Sequence, residues 1–273
     1  EFKVLSEPQS KAPLYSDPYL GLQAGFQSLS IAEVHKMSTG RGVRIAVIDT
    51  GVDIEHPDLK GQIRHSENLA PEPKDHNLAD KHGTAVAGIL SARPDNGIGI
   101  AGITPDAELL AFRACWPEQP GSLAAHCNSF TLALALNQAV RMKSHIINLS
   151  LSGPEDPLLK QLIEKALSKG INVVAAISPD TQQQSFPANM PGVIAVGTGK
   201  EQMSQAITAP GRDILTTLPQ QTYDFMSGSS FATPHVAGMI ALMLQIHPDW
   251  QEKEIRQQLH KNLSVALSSS KIN

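Results

Sequence analysis

Aromatic side chains make up only 4% of the 273 residues, and there are just two cysteines. Neither sign of charge dominates: 22 Lys and Arg face 26 Asp and Glu, a formal net charge of -4, with the two signs interspersed. Such a balance lacks the basic footprint by which proteins hold nucleic-acid phosphates or anionic membranes. No apolar run approaches the ~20 residues that a membrane-spanning helix requires, and Glu1-Phe2-Lys3-Val4-Leu5-Ser6-Glu7-Pro8 has no signal-peptide core. These absences predict a soluble chain with no nucleic-acid partner and no membrane span, any leader already trimmed. What remains is ordinary for a folded protein, 41% hydrophobic and 18% charged, and too apolar for disorder. The length suffices for one large domain, which we expect in preference to two smaller ones.

Cys115 and Cys127 share one segment with Pro117, Pro120 and Gly121. Bridged, they would close a short loop, add roughly 3 kcal/mol through the loop entropy of the unfolded chain, and imply an oxidising compartment. Unbridged, they would be two small hydrophobes. The spacing leaves both readings open.

The first 25 residues mix Pro8, Pro13, Pro18 and Gly21 with little periodicity, which predicts an extended arm (1–25) on the surface of a single domain spanning 26–273. Further on, continuous apolar runs at Ile45–Ile48, Leu109–Phe112, Ile146–Leu151, Ile171–Ala176 and Val193–Val196 have the character of strands buried on both faces of a parallel sheet. Helical stretches from His82 to about Ala92, Phe130 to about Lys143, Pro157 to about Lys169 and Ser230 to about Ile246 alternate with them. The alternation predicts an α/β class: a doubly wound, mostly parallel central sheet with helices on both faces. Its ligand site is expected at the carboxyl ends of the strands, near a topological switch point.

Three segments could carry chemistry. Val47-Ile48-Asp49-Thr50-Gly51 delivers a carboxylate off a buried strand into a turn, where an Asp is also a common turn former. His82-Gly83-Thr84-Ala85-Val86-Ala87-Gly88 opens a helix whose small residues allow close backbone packing, leaving His82 in the first turn as a base or as a mere capping residue. Ser227-Gly228-Ser229-Ser230-Phe231-Ala232-Thr233-Pro234 runs from a glycine-bearing turn into an apolar helix, which places Ser230 at a helix N-terminus. Its own N–H and the positive helix end can stabilise an oxyanion there; the plain alternative is an N-cap.

Taken together, in the order Asp, His, Ser, these segments resemble the subtilisin family of serine peptidases. The likeness runs on through Ile147-Asn148-Leu149-Ser150-Leu151, Phe186-Pro187-Ala188, Val193-Ile194-Ala195-Val196-Gly197 and Ala209-Pro210-Gly211, covering roughly Thr39 to Leu259. The resemblance implies a subtilisin-like fold and a serine endopeptidase, with Ser230 as nucleophile, His82 as general base and then acid, and Asp49 orienting His82. It implies a polypeptide substrate lying along Ser150, Leu151, Ser152 and Gly153, with Ser152 standing where relatives commonly carry glycine. It implies a secreted or periplasmic monomer with no cofactor for catalysis, and a propeptide before Glu1 or a protein inhibitor as partner. Calcium is implied as a structural ion with Asp58, Asp95 and Asn96 as candidate ligands, although Asp95-Asn96-Gly97 is equally a good turn sequence.

One position departs from the family pattern. In relatives, a strand like Val173-Val174-Ala175-Ala176 continues to a Gly-Asn pair whose asparagine donates a second hydrogen bond to the oxyanion. Here the matching positions read Ser178-Pro179, followed by Asp180. Proline has no such donor, an ionised Asp180 would repel the developing charge, and loss of that donor in a subtilisin costs roughly 10²- to 10³-fold in turnover. Three outcomes stay open: a slow enzyme relying on the Ser230 N–H, a loop in which Ser178, a glutamine or a protonated Asp180 substitutes, or a catalytically impaired pseudoprotease that binds peptides or proteins in the same groove. The intact Asp49, His82 and Ser230 favour an active enzyme.

Overall fold

The structure is a computed structural model that describes residues 15–71, 79–119, 121–178, 185–199, 201, 203 and 205–269, with side chains to residue 263. Ahead of the first strand, a 3-10 turn (Leu20–Leu22) and two short helices, α1 (Ala24–Ser28) and α2 (Ile31–Val34), send Leu20, Phe26 and Ile31 into the core. Residues 15–25 are therefore packed and partly helical where an extended surface arm was expected. Gln23 is buried, and its side-chain amide bonds both the carbonyl and the N–H of Ala101. Apolar Leu20 and the amide of Gln23 find partners that only the folded chain supplies, which local composition does not reveal. Residues 1–14 of that arm lie outside the described residues.

The chain then runs β1 (Arg44–Asp49), β2 (Ile63–Asn68), α3 (Lys81–Ser91), β3 (Glu108–Arg113), a small hairpin of β4 (Cys115–Pro117) and β5 (Ala125–Cys127), α4 (Ser129–Arg141), β6 (Ile146–Leu149) and α5 (Pro157–Ser168). It continues through β7 (Asn172–Ala176), β8 (Ile194–Gly197), β9 (Ile207–Thr208), a second hairpin of β10 (Ile214–Leu218) and β11 (Thr222–Met226), α6 (Ser229–Ile246) and α7 (Glu252–Ser269). Seven strands form one sheet in the order β2-β3-β1-β6-β7-β8-β9, every neighbouring pair parallel. Crossovers between parallel strands cover both faces of a sheet, so its strands are apolar on both sides and the two-residue period sorts them. Ile45 and Val47 of β1 join the core built with α3 and α6, whereas Ala46 and Ile48 join the core built with α4 and α5. The doubly wound α/β architecture is thus observed.

Helix starts follow their caps. The side chains of Asp80, Asn128 and Asp156 accept hydrogen bonds from the N–H groups of His82, Thr131 and Leu159, opening α3, α4 and α5, and Pro157 sits in the first turn of α5. α6 is long and apolar enough to cross a membrane by length and composition, yet 83% of it is buried inside the protein, so its apolarity serves the core. The sequential order reverses between adjacent β1 and β6. A crevice opens at their carboxyl ends, and it holds the candidate site.

Candidate active site

Asp49 is the last residue of β1, and Ser150 follows β6, so both emerge at the same edge of the sheet. His82 arrives on the first turn of α3. Its N–H donates to Asp80 Oδ1 at 3.1 Å, and the Thr50 hydroxyl donates to the same oxygen. Thr50 Oγ1 in turn accepts from the Gly83 N–H at 3.1 Å, while the Thr50 N–H donates to Asp49 Oδ1 at 2.7 Å. Gly83 permits this seating, since a Cβ there would stand 2.2 Å from the Gly51 carbonyl oxygen. With the helix held against the turn after β1, His82 Nδ1 lies 2.7 Å from Asp49 Oδ1.

Ser230 is the second residue of α6, whose N-cap, Gly228, has φ +146, a conformation open to glycine. The Ser230 N–H therefore lies in the first turn, where intrahelical acceptors run out. Four residues on, Pro234 has no N–H to offer the Ser230 carbonyl. Ser150 Oγ takes that place, donating to the Ser230 carbonyl at 2.8 Å, and Ser230 Oγ donates back to the Ser150 carbonyl at 3.0 Å. Fully buried Asn148 completes the clasp by donating from Nδ2 to Ser150 Oγ at 3.0 Å. A serine hydroxyl has one proton, so passing it to His82 requires rotation about Cα–Cβ away from the Ser150 carbonyl.

Burial is the largest influence on His82 and pulls its pKa down, but the charge and hydrogen bond of Asp49, with the charge of Asp80, outweigh it and hold the imidazole above its ordinary value. Asp80 is itself raised, by burial first and by the charge of Asp49, against the hydrogen bonds from Thr50 and the His82 N–H. The Phe231 ring packs on the imidazole, with centroids 5.3 Å apart. Asp49, His82 and Ser230 line one cleft of about 580 Å³ together with Ser150, Leu151, Ser152 and Gly153. A hydroxyl at a helix N-terminus, an imidazole and a buried carboxylate bonded to its Nδ1 can together perform acyl transfer.

Residues 40–271 match the model of the subtilase family. This chain belongs to that family. It is 35% identical over 263 residues to subtilisin from Bacillus pumilus, covering 90% of this chain and 92% of that protein. It is 36% identical over 253 residues to subtilisin E from Bacillus subtilis strain 168, and spans 64% of the length of that relative and 86% of its own. Its fold matches the crystal structure of fervidolysin from Fervidobacterium pennivorans, a keratinolytic enzyme related to subtilisin, at a TM-score of 0.79 and 26% identity over 91% of this chain and 43% of the other.

In this subtilase Cys115 and Cys127 are bridged, which decides between the two readings of the cysteines. Ser178 is buried, with its N–H donating to Ser185 Oγ at 3.2 Å, and Ser229 Oγ donates to the neighbouring Ile177 carbonyl at 2.6 Å. Pro179 and Asp180, where the oxyanion donor departs from the family, lie outside the described residues.

Of the candidate calcium ligands, Asp58 and Asn96 meet, and Asp95 precedes Asn96 in the same loop. Asp58 is fully buried, and its oxygens accept from Asn96 Nδ2 at 2.8 Å, the Ile100 N–H at 3.0 Å and the Tyr223 hydroxyl at 2.9 Å. Asn96 Oδ1 accepts from the Ile98 N–H at 3.0 Å, and Asp95 Oδ1 from the Ser16 N–H at 3.2 Å, so the turn reading of Asp95-Asn96-Gly97 describes this loop. Asp17 Oδ1 is buried and has no hydrogen-bond partner among the described residues. Among the described residues no group of three His, Cys, Asp or Glu side chains could hold a metal ion, so these carboxylates by themselves do not build a calcium site.

Three polar residues of the site went unread in the sequence. Asp80 carried a signal, an N-cap type just before the His82 helix. Asn148 carried one too, a polar residue inside an apolar strand. Thr50, a turn residue beside Asp49, carried none.

Proposed function

We propose that this subtilase is a serine endopeptidase that cleaves extended polypeptides through an acyl-enzyme on Ser230. The observation that carries the reading is the 2.7 Å contact between His82 Nδ1 and Asp49 Oδ1, in a cleft that Ser230 also lines. His82, fixed through Nδ1 with its tautomer set by Asp49, takes the Ser230 proton on Nε2 as Oγ attacks the scissile carbonyl carbon. The Ser230 N–H and the N-terminus of α6 face the developing oxyanion. His82 then returns the proton to the departing amine as the C–N bond breaks. Water, deprotonated by the same nitrogen, releases the acid product and restores Ser230.

The substrate would lie along Ser150–Gly153, and a propeptide or protein inhibitor would compete for that groove. A monomer suffices for the triad, because one chain supplies Asp49, His82 and Ser230. The Cys115–Cys127 bridge supports an oxidising compartment, secreted or periplasmic. The chemical scheme has no step for calcium, and Asp58, Asp95 and Asn96 stay the candidate residues for a structural ion.

Intact-mass analysis after treatment with a fluorophosphonate tests the reading. A single adduct on the wild-type protein, absent from Ser230→Ala, is expected. A folded wild-type protein that takes up no adduct would rule out an activated nucleophile.

A further inference from the structure

Two depressions meet at the candidate site. One is the cleft along Ser150–Gly153; the other, of about 1070 Å³, lies over Ala209–Asp213 and the start of α6. Among the described residues, three line both: His82, Ser230 and Leu123. The first two are the proposed base and nucleophile. Leu123 has no place in that chemistry, yet it stands with 44% of its surface exposed at the waist where the scissile bond would lie. A lone exposed leucine needs no explanation, but both the position and the support of this one do.

Leu123 sits in the loop between β4 and β5. That hairpin leaves the sheet beside Asp49, where the Ala114 N–H donates to the Asp49 carbonyl at 2.9 Å. Its first pair, Cys115 opposite Cys127, is closed by the disulfide, and near its tip the Glu118 N–H donates to the Ala124 carbonyl at 2.9 Å. The loop overlies the residue before His82, since a Cβ on Gly121 would come within 3.7 Å of Lys81 Nζ. A covalently closed support thus carries an exposed apolar side chain in the lining that it shares with the imidazole.

Alternation along an extended substrate decides what Leu123 meets. Side chains of a strand point to opposite sides in turn. On the endopeptidase reading, the residue just before the scissile bond would lie against Ser150–Gly153, which line the first depression and not the second. The second residue before the bond would then point the other way, toward the lining that His82 and Leu123 share with the second depression. We propose that Leu123 is a specificity-determining residue that selects an apolar side chain at this second position, with the Cys115–Cys127 bridge holding it in place. An apolar side chain there shares buried surface with Leu123, whereas a polar one loses water and gains no partner from it. The inference rests on the endopeptidase reading.

Matched peptides carrying leucine or serine at the second residue before the bond, compared by kcat/KM, test it. The wild-type enzyme is expected to prefer leucine. Leu123→Ala is expected to cut the leucine-to-serine ratio about tenfold, a size usual for lost apolar contact in a pocket. Leu123→Met should retain the ratio, and the double substitution Cys115→Ser, Cys127→Ser should lower it. If Leu123→Ala slows both peptides equally, or leaves the ratio unchanged, the inference is overturned while the peptidase reading stands. Wild-type protein that neither cleaves either peptide nor takes up the fluorophosphonate would overturn both.

Discussion

Asp80 is a second carboxylate beside the imidazole, and its two oxygen-bound donors explain why it is there. It caps α3 through the His82 N–H and anchors the Thr50 hydroxyl, so a single side chain starts the helix and ties it to the turn after Asp49. It also raises the His82 pKa by its charge, while burial pulls the other way. Asparagine at this position keeps the accepting oxygen and a good N-cap but removes the charge. For Asp80→Asn the folded-state pKa of His82 should therefore fall. A base works only when unprotonated, so the acid limb of the kcat/KM profile should move to lower pH, with little change on the alkaline plateau. A limb that stays in place would mean that Asp80 acts through geometry alone.

Close approach of elements, rather than any one side chain, sets the distance between base and orienting acid. α3 meets the β1 turn through Gly83 and meets β10 through Gly88, where a Cβ would stand 2.2 Å from Thr217 Oγ1. Alanine at either position overpacks a tight contact, which costs about 1–3 kcal/mol. Gly83→Ala pushes on the end of the helix that carries His82, so it should lower kcat far more than Gly88→Ala does at comparable loss of stability. Equal losses of kcat would indicate that the helix shifts as a rigid unit. The same contacts explain what could be read beforehand. β1, β3, β6 and β7 were legible because a strand buried on two faces is a continuous apolar run; the segments of Asp49, His82 and Ser230 stood out where such elements end or begin, but their reading as a set rested on the family resemblance. β2, Ile63-Arg64-His65-Ser66-Glu67-Asn68, is a polar, partly exposed edge strand with no such pattern. The Asn148–Ser150–Ser230 clasp and the cleft lining shared by Leu123 and His82 join residues far apart in the chain, so no local pattern encodes them.

Across the whole molecule, buried histidines tie stability to acidity. His235 lies inside α6, fully buried, with Nδ1 bonded to the Phe231 carbonyl at 2.8 Å; burial pushes its pKa down to about 4, against the weaker opposing effect of that bond. His35, between the Tyr15 hydroxyl and the Ile103 carbonyl, is lowered too, by burial first. Unfolded, these imidazoles take up a proton near pH 6.5; folded, they resist it. Between those limits the unfolded state binds more protons, so stability falls as pH drops. For His235 the loss amounts to on the order of 3 kcal/mol once pH has fallen from about 6.5 to about 4. Asp17, raised by burial, acts in the opposite sense, because the folded state holds its proton more readily, and it offsets part of the loss. Thermal unfolding of the Ser230→Ala protein, which removes self-cleavage from the measurement, should show a midpoint that declines through this window. Adding His235→Gln should lower the midpoint at neutral pH, through lost packing, and flatten the decline. Parallel curves for the two proteins would show that His235 is not the group whose protonation opens the core.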